Sequence, residues 1–249
     1  MAQSTYTAVP TLPEDIPATP DGQHDPMGNE EQLLKPENRN GDGPAWYIAV
    51  GAATLIAVTS LLTVVTNGPL ELSYFAFHMP LNTLAILGFT LAIVQLQPTS
   101  QPRTKIIGLE RHQLGMFVAL PLITLGVLSI YINKVAHKAP HFTTWHGTFG
   151  IICFAWLVAQ FLFGGLTVWF GGAAFGGGLR AKLLWKYHRM SGYVLFPTML
   201  FTLHLGGAWS SWMDSVSPFL VRLLIYTLVP AALLGAVYVR VRPSKLGFM

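Results

Sequence analysis

The sequence predicts an all-α, polytopic membrane protein with six transmembrane helices. Three observations carry this. Only 10% of the 249 residues are charged, against about a quarter in a water-soluble domain. Six apolar segments, each about 20 residues long or a little more, divide the chain. Almost all the bases of the apolar body fall between those segments rather than inside them.

Taken in order, residues 1–43 hold six prolines, eight acids and two bases. They read as a disordered acidic cytoplasmic tail. No basic stretch followed by a short apolar run opens the chain, so the first apolar segment is expected to act as the anchor. The membrane domain covers 44–240, with spans near 46–66, 72–96, 112–132, 146–170, 188–209 and 218–239. Each is long enough for a helix to cross a hydrocarbon core of about 30 Å. Helices are expected because lipid offers the backbone no hydrogen-bond partner. A short basic cytoplasmic tail, 241–249, closes the chain.

Loop charge sets the orientation. Arg103, Lys105 and Arg111 lie between spans two and three, and Arg180, Lys182, Lys186 and Arg189 between four and five. Arg240, Arg242 and Lys245 follow the last span, and the opposite side has Lys134, Lys138 and Arg222. Both termini are therefore expected in the cytoplasm. The run "FGGAAFGGGLR", 170–180, reads as a flexible link without a nucleotide-binding pattern, and no nucleic-acid partner is expected. The single cysteine, Cys153, excludes an internal disulfide and reads as a small packing residue.

Histidines carry the chemistry. His78, His112, His146 and His188 each stand near the start of one of four consecutive spans, separated by 34, 34 and 42 residues. Successive helices run in opposite directions, so His78 and His146 share the outer face and His112 and His188 the cytoplasmic face. Ionisable groups inside a membrane are rare and usually functional. Two imidazoles facing across a bundle can hold a metal ion or both axial positions of a haem. The only acids in the body are Glu71, Glu110 and Asp214, so a metal ion would lack further ligands. A haem brings four nitrogens and needs only two more.

Gly115, Gly150, Ser191 and Gly192 lie three or four residues beyond their histidines and are expected to leave room for a flat macrocycle. Asn82, at the same spacing from His78, would have to form a hydrogen bond instead. His204 is the rival outer ligand, but sixteen residues after His188 it points about 160° away around the helix. His24 falls in the tail. His137 and His141 precede the fourth span and are candidates to meet an electron acceptor. Two alternatives remain open on the residues: a quinone-coupled haem b membrane subunit, and a histidine-based metal or proton transporter.

The segments "FHMPLNTLA" (77–85), "RHQLG" (111–115), "HFTTWHG" (141–147) and "KYHRMSGYV" (186–194) resemble the four histidine segments of the cytochrome b561 family. The likeness is to its short domain-containing members of internal membranes and covers roughly residues 46–240. It implies six helices and two haem b, with His78 and His146 on the non-cytoplasmic haem and His112 and His188 on the cytoplasmic one. One departure stands out: the order is His78-Met79-Pro80, where the family has proline directly after the histidine, and Asn82 stands near the place of its methionine.

The resemblance further implies a transmembrane ascorbate-dependent oxidoreductase. Cytoplasmic ascorbate would meet Lys105, Arg111, Lys182, Lys186 and Arg189. Monodehydroascorbate or a ferric chelate, the monodehydroascorbate reductase and ferric reductase activities, would meet Lys138, His141 and Trp145 on the other side. An internal membrane (endoplasmic reticulum, vacuole or lysosome) is expected ahead of the plasma membrane, with a homodimer as a possible assembly.

Overall fold

The computed structural model describes residues 39–242. The acidic stretch before residue 39, His24 and Lys245 lie outside the described residues. Among the described residues there is no strand. Six long helices follow one another: α1 (Asp42–Thr66), α2 (Phe75–Leu96), α3 (Pro102–Ala136), α4 (Trp145–Leu166), α5 (Trp185–Trp209) and α6 (Phe219–Arg240). Five of them, all but α5, are long and apolar enough to cross a membrane. At 25 residues α5 has the length, but Lys186, His188, Arg189 and His204 dilute its hydropathy.

Helix packing follows from where small residues fall. Ala45, Ala49 and Ala53, one turn apart, form the buried stripe of α1, while Tyr47, Ile48, Leu55, Leu62 and Val65 are exposed on its other side. Apolar exposure of that kind suits lipid, in which helices associate by close packing of small residues. α1 thereby packs against α2 and α6. The tightest pairing is α2 on α3, and α4 pairs in the same way with α5. At Gly115 of α3 a Cβ would lie 2.6 Å from the Cβ of Ala92 in α2, so only glycine permits that approach. Few backbone approaches join α3 to α4. The core is thus two helix pairs facing each other.

Three boundaries differ from the sequence expectation. α3 begins at Pro102, ten residues ahead of the expected 112 and so well before His112. The charged stretch containing Arg103, Lys105, Glu110 and Arg111 is helical, with proline supplying the first turn. At about 52 Å, its 35 residues are longer than a hydrocarbon core. α1 begins at Asp42, inside the stretch expected as tail. Between α4 and α5 the glycine-rich run is folded rather than a loose link. Phe170, Gly171 and Gly172 have positive φ, Gly177 N–H donates to Gly172 O at 3.0 Å, and a short helix follows at Gly178–Leu183.

Charges that read as topology signals also build a joint. The Asp42 carboxylate is buried, pairs with Arg242 and accepts the Arg39 N–H at 2.7 Å. Arg240, also buried, donates from Nε and Nη2 to Val94 O at 3.0 and 2.8 Å and from Nη1 to Asp42 O. Arg39 Nη2 reaches Val239 O at 2.7 Å. The start of α1, the end of α2 and the end of α6 are thereby tied together.

Removing one partner of a buried pair strands the other charge and costs about 3–5 kcal/mol. Asp42→Ala is therefore expected to lower the thermal midpoint of the purified protein in detergent clearly. A Glu71→Ala control should leave it in place. Intrinsic tryptophan fluorescence on heating measures both.

Candidate haem site

Each histidine of the four-helix core occupies a defined place. Thr144 caps α4, its hydroxyl accepting the Gly147 N–H at 3.1 Å, and so sets His146 in the first turn. His78 and His188 also fall in the first turns of α2 and α5, whereas His112 lies about three turns into α3.

The rings meet across the two pairs. His78 and His146 have ring centroids 5.9 Å apart with planes at 83°. His112 and His188 stand at 6.3 Å and 85°. In a second direction each ring reaches its own pair partner. His78 Nδ1 is 2.9 Å from Gly126 O of α3, and His112 Nδ1 is 3.3 Å from Ala92 O of α2. His146 Nδ1 is 2.9 Å from Thr202 O of α5. A carbonyl only accepts, so Nδ1 carries the hydrogen in all three, and the lone pair resides on Nε2. His188 differs: its Nδ1 is buried without a hydrogen-bond partner.

Glycines seat two of the rings. A Cβ on Gly206 of α5 would lie 2.7 Å from both Cε1 and Nδ1 of His146. One on Gly164 of α4 would lie 2.8 Å from His188 Nδ1. Each glycine follows its own helix's histidine by 18 residues, which is five turns and the same face.

This donor set can be tested against haem and against a metal ion. Two imidazoles on one metal, each about 2 Å from it, have ring centres about 6 Å apart, the separation of both pairs. Nδ1–H held by a carbonyl and Nε2 left free is the usual state of a metal-ligating histidine. Among the described residues no group of three or more His, Cys, Asp or Glu comes together, so a bare cation would lack its further ligands. The residues fit haem b.

A family model for eukaryotic cytochrome b561 matches residues 70–214. The chain belongs to the eukaryotic cytochrome b561 family. That family binds haem b and works in electron transfer and oxidoreduction, and with the apolar helices it makes this an integral membrane protein. The match runs from just ahead of α2 to the short helix Ser211–Val216 after α5. It therefore contains all four histidine helices and leaves α1 and α6 outside. No match is found among curated proteins or among solved structures.

Other expected residues are placed as follows. Lys105 and Arg111 are exposed on α3, and Lys182 is exposed in the short helix before α5. Lys186 and Arg189 are half-buried on either side of His188, with the Lys186 ammonium 5.2 Å from the Tyr187 ring centre. Lys138 and Trp145 are exposed. His141 lies beside the Tyr131 and Phe142 rings, with ring centres 5.0 and 5.8 Å away.

The small residues beside the histidines have other work than the sequence implied. Gly115 serves the α2–α3 contact, and Ser191 accepts the Trp156 indole N–H at 2.8 Å. Gly192 faces the Gln160 amide. Gly150 alone keeps open space at its Cβ, with Thr202 Cγ2 at 3.9 Å. Asn82 forms the hydrogen bond expected of it, donating to His78 O at 2.5 Å.

His204 turns to α6 and has both nitrogens engaged. Nδ1–H donates to Tyr226 O at 3.0 Å, the carbonyl that Pro230 leaves without a helical partner, and Nε2 accepts the Trp209 indole N–H at 3.0 Å. His204→Ala is therefore expected to keep the full haem b content by haemochrome assay. It should lower the thermal midpoint, since the stranded carbonyl of the buried Tyr226 costs about 1–3 kcal/mol.

Proposed function

We propose that this protein carries electrons one at a time across a membrane, through two haem b groups held by the second to fifth of six transmembrane helices. His78 and His146 would hold the haem on the non-cytoplasmic side, and His112 and His188 the one on the cytoplasmic side. The observation that carries the reading is the pair of crossed imidazole contacts at about 6 Å, one in each layer, with no third ligand beside them among the described residues.

Haem b held by two imidazoles would supply one-electron transfer rather than oxygen chemistry. The chain contributes orientation and exclusion. Main-chain carbonyls hold three Nδ1 protons and so direct Nε2 across the bundle. Ala92, the acceptor for His112, follows His78 by fourteen residues. At 1.5 Å each, that separates the two layers by about 21 Å along the helix. The span suits a relay between the two faces.

Cytoplasmic ascorbate is the donor in this reading. It is an anion; Lys105 and Arg111 precede His112 on α3, Lys186 and Arg189 flank His188 on α5, and Lys182 lies in the short helix just before α5. Their field raises the encounter rate without requiring a shaped pocket. Monodehydroascorbate or a ferric chelate is the acceptor, met by Lys138, His141 and Trp145 beside His146. Both termini lie in the cytoplasm, and the membrane is an internal one.

Haem quantitation with visible spectra before and after ascorbate tests this. Two haem b per chain and a sharp reduced α-band are expected. Haem that ascorbate cannot reduce would point to a quinone donor, and a colourless protein would overturn the reading in favour of a transporter. His78→Ala and His112→Ala should each lose one haem, and Gly206→Leu should lose the His146 haem alone. The initial rate of reduction by ascorbate should fall as salt rises from about 0.01 to 0.15 M, because screening shortens the reach of the bases.

A further inference from the structure

The acceptors of the Nδ1 protons follow a rule. Ala92 lies fourteen residues after His78, Gly126 fourteen after His112, and Thr202 fourteen after His188. Each histidine therefore lends its own helix, four turns on, to the ring of its pair partner in the other layer. The fourth position under this rule, fourteen residues after His146, is Gln160. It is on α4, the pair partner of α5, and in the layer of His188.

Two further contacts bring Gln160 to His188. Its side-chain amide donates to His188 O at 2.5 Å. One turn on, Gly164 lies against the His188 ring, as Gly206, one turn after Thr202, lies against His146. The two rings of the α4–α5 pair are thus set against their partner helices in the same way. Yet His188 Nδ1 is buried without a partner, whereas His146 Nδ1 has Thr202 O. A stranded imidazole N–H in an apolar interior is costly.

We infer that Gln160 is the positioning residue of His188. Its side-chain amide pins the His188 backbone, and through that hold brings its main-chain carbonyl into reach of the His188 Nδ1 proton once the haem is in place. The layer containing His112 and His188 then has the same tautomer control as the other. No charge is introduced, which suits a polar group within the membrane. The inference rests on the reading of His112 and His188 as one ligand pair.

Carbon monoxide binding to the reduced protein tests it, because CO takes ferrous haem only when an axial ligand has left. The probes are wild type, Gln160→Met, which keeps length and main chain but loses the donor, and Gln160→Asn, which withdraws the amide by one methylene. Wild type should hold two haems and bind no CO. Gln160→Met should bind CO at about half of its haem, with the midpoint potential of that half shifted. On a His78→Ala background, which keeps only the other layer, all remaining haem should bind it.

Gln160→Asn should move both readouts in the same direction by less, and decides the matter if Gln160→Met does not accumulate. Two haems in wild type, with CO binding and potentials unchanged in whichever variant is purified, would overturn the inference and leave the ligand assignment intact. Haem-free wild type would sink the ligand assignment, and the inference with it.

Discussion

An imidazole can offer one nitrogen to a metal in a fixed direction only when the proton on its other nitrogen is held elsewhere. In this protein main-chain carbonyls do the holding. His78, His112 and His146 each reach across to the neighbouring helix of their own pair and bond an oxygen there. The free nitrogen is then left to the opposite pair. For these three rings, tautomer and direction are set by that one kind of contact. Acceptors of this kind need no acid, which accords with a membrane body that has almost none.

Close packing follows from the same requirement. A ring can reach the partner's backbone only if the two helices approach closely and no side chain intervenes. Gly164 and Gly206 meet that condition beside His188 and His146, and Gly115 against Ala92 draws α2 and α3 together. The two pairs remain loosely joined to each other, as suits a flat group between them. α1 and α6, outside the family match, brace this core. The buried Asp42, Arg240 and Arg242 network ties their ends to α2. Tyr226 of α6 links to Ser60 of α1 at 3.2 Å and to His204 of α5 through its carbonyl.

The direction of electron flow, on the proposed reading, depends on features outside this core. Bases at the helix ends of one layer favour an anionic donor, while the other face presents Trp145 and a histidine in contact with aromatic rings. The two faces therefore differ in charge and chemistry even though the layers between them are alike.

Much of this was legible in the sequence. Low charge and long apolar runs require helices in lipid, and alternating helix direction alone sorts four histidines into two layers. The near-opposite angle of His204 from His188 was likewise available from 100° per residue, and His204 does turn to α6. Only the tertiary structure decided the rest, because main-chain partners leave no trace in residue identity. Gly126, Ala92 and Thr202 act through carbonyls that any residue would carry. Gly115 and Ser191, read as room for a cofactor, serve helix contacts instead, since spacing shows which face a residue occupies but not what stands opposite. Asp42 and Arg240 read as tail acid and topology charge because their partners lie about 200 residues apart along the chain. Periodicity reports on one helix at a time, whereas a register between helices exists only once they pack.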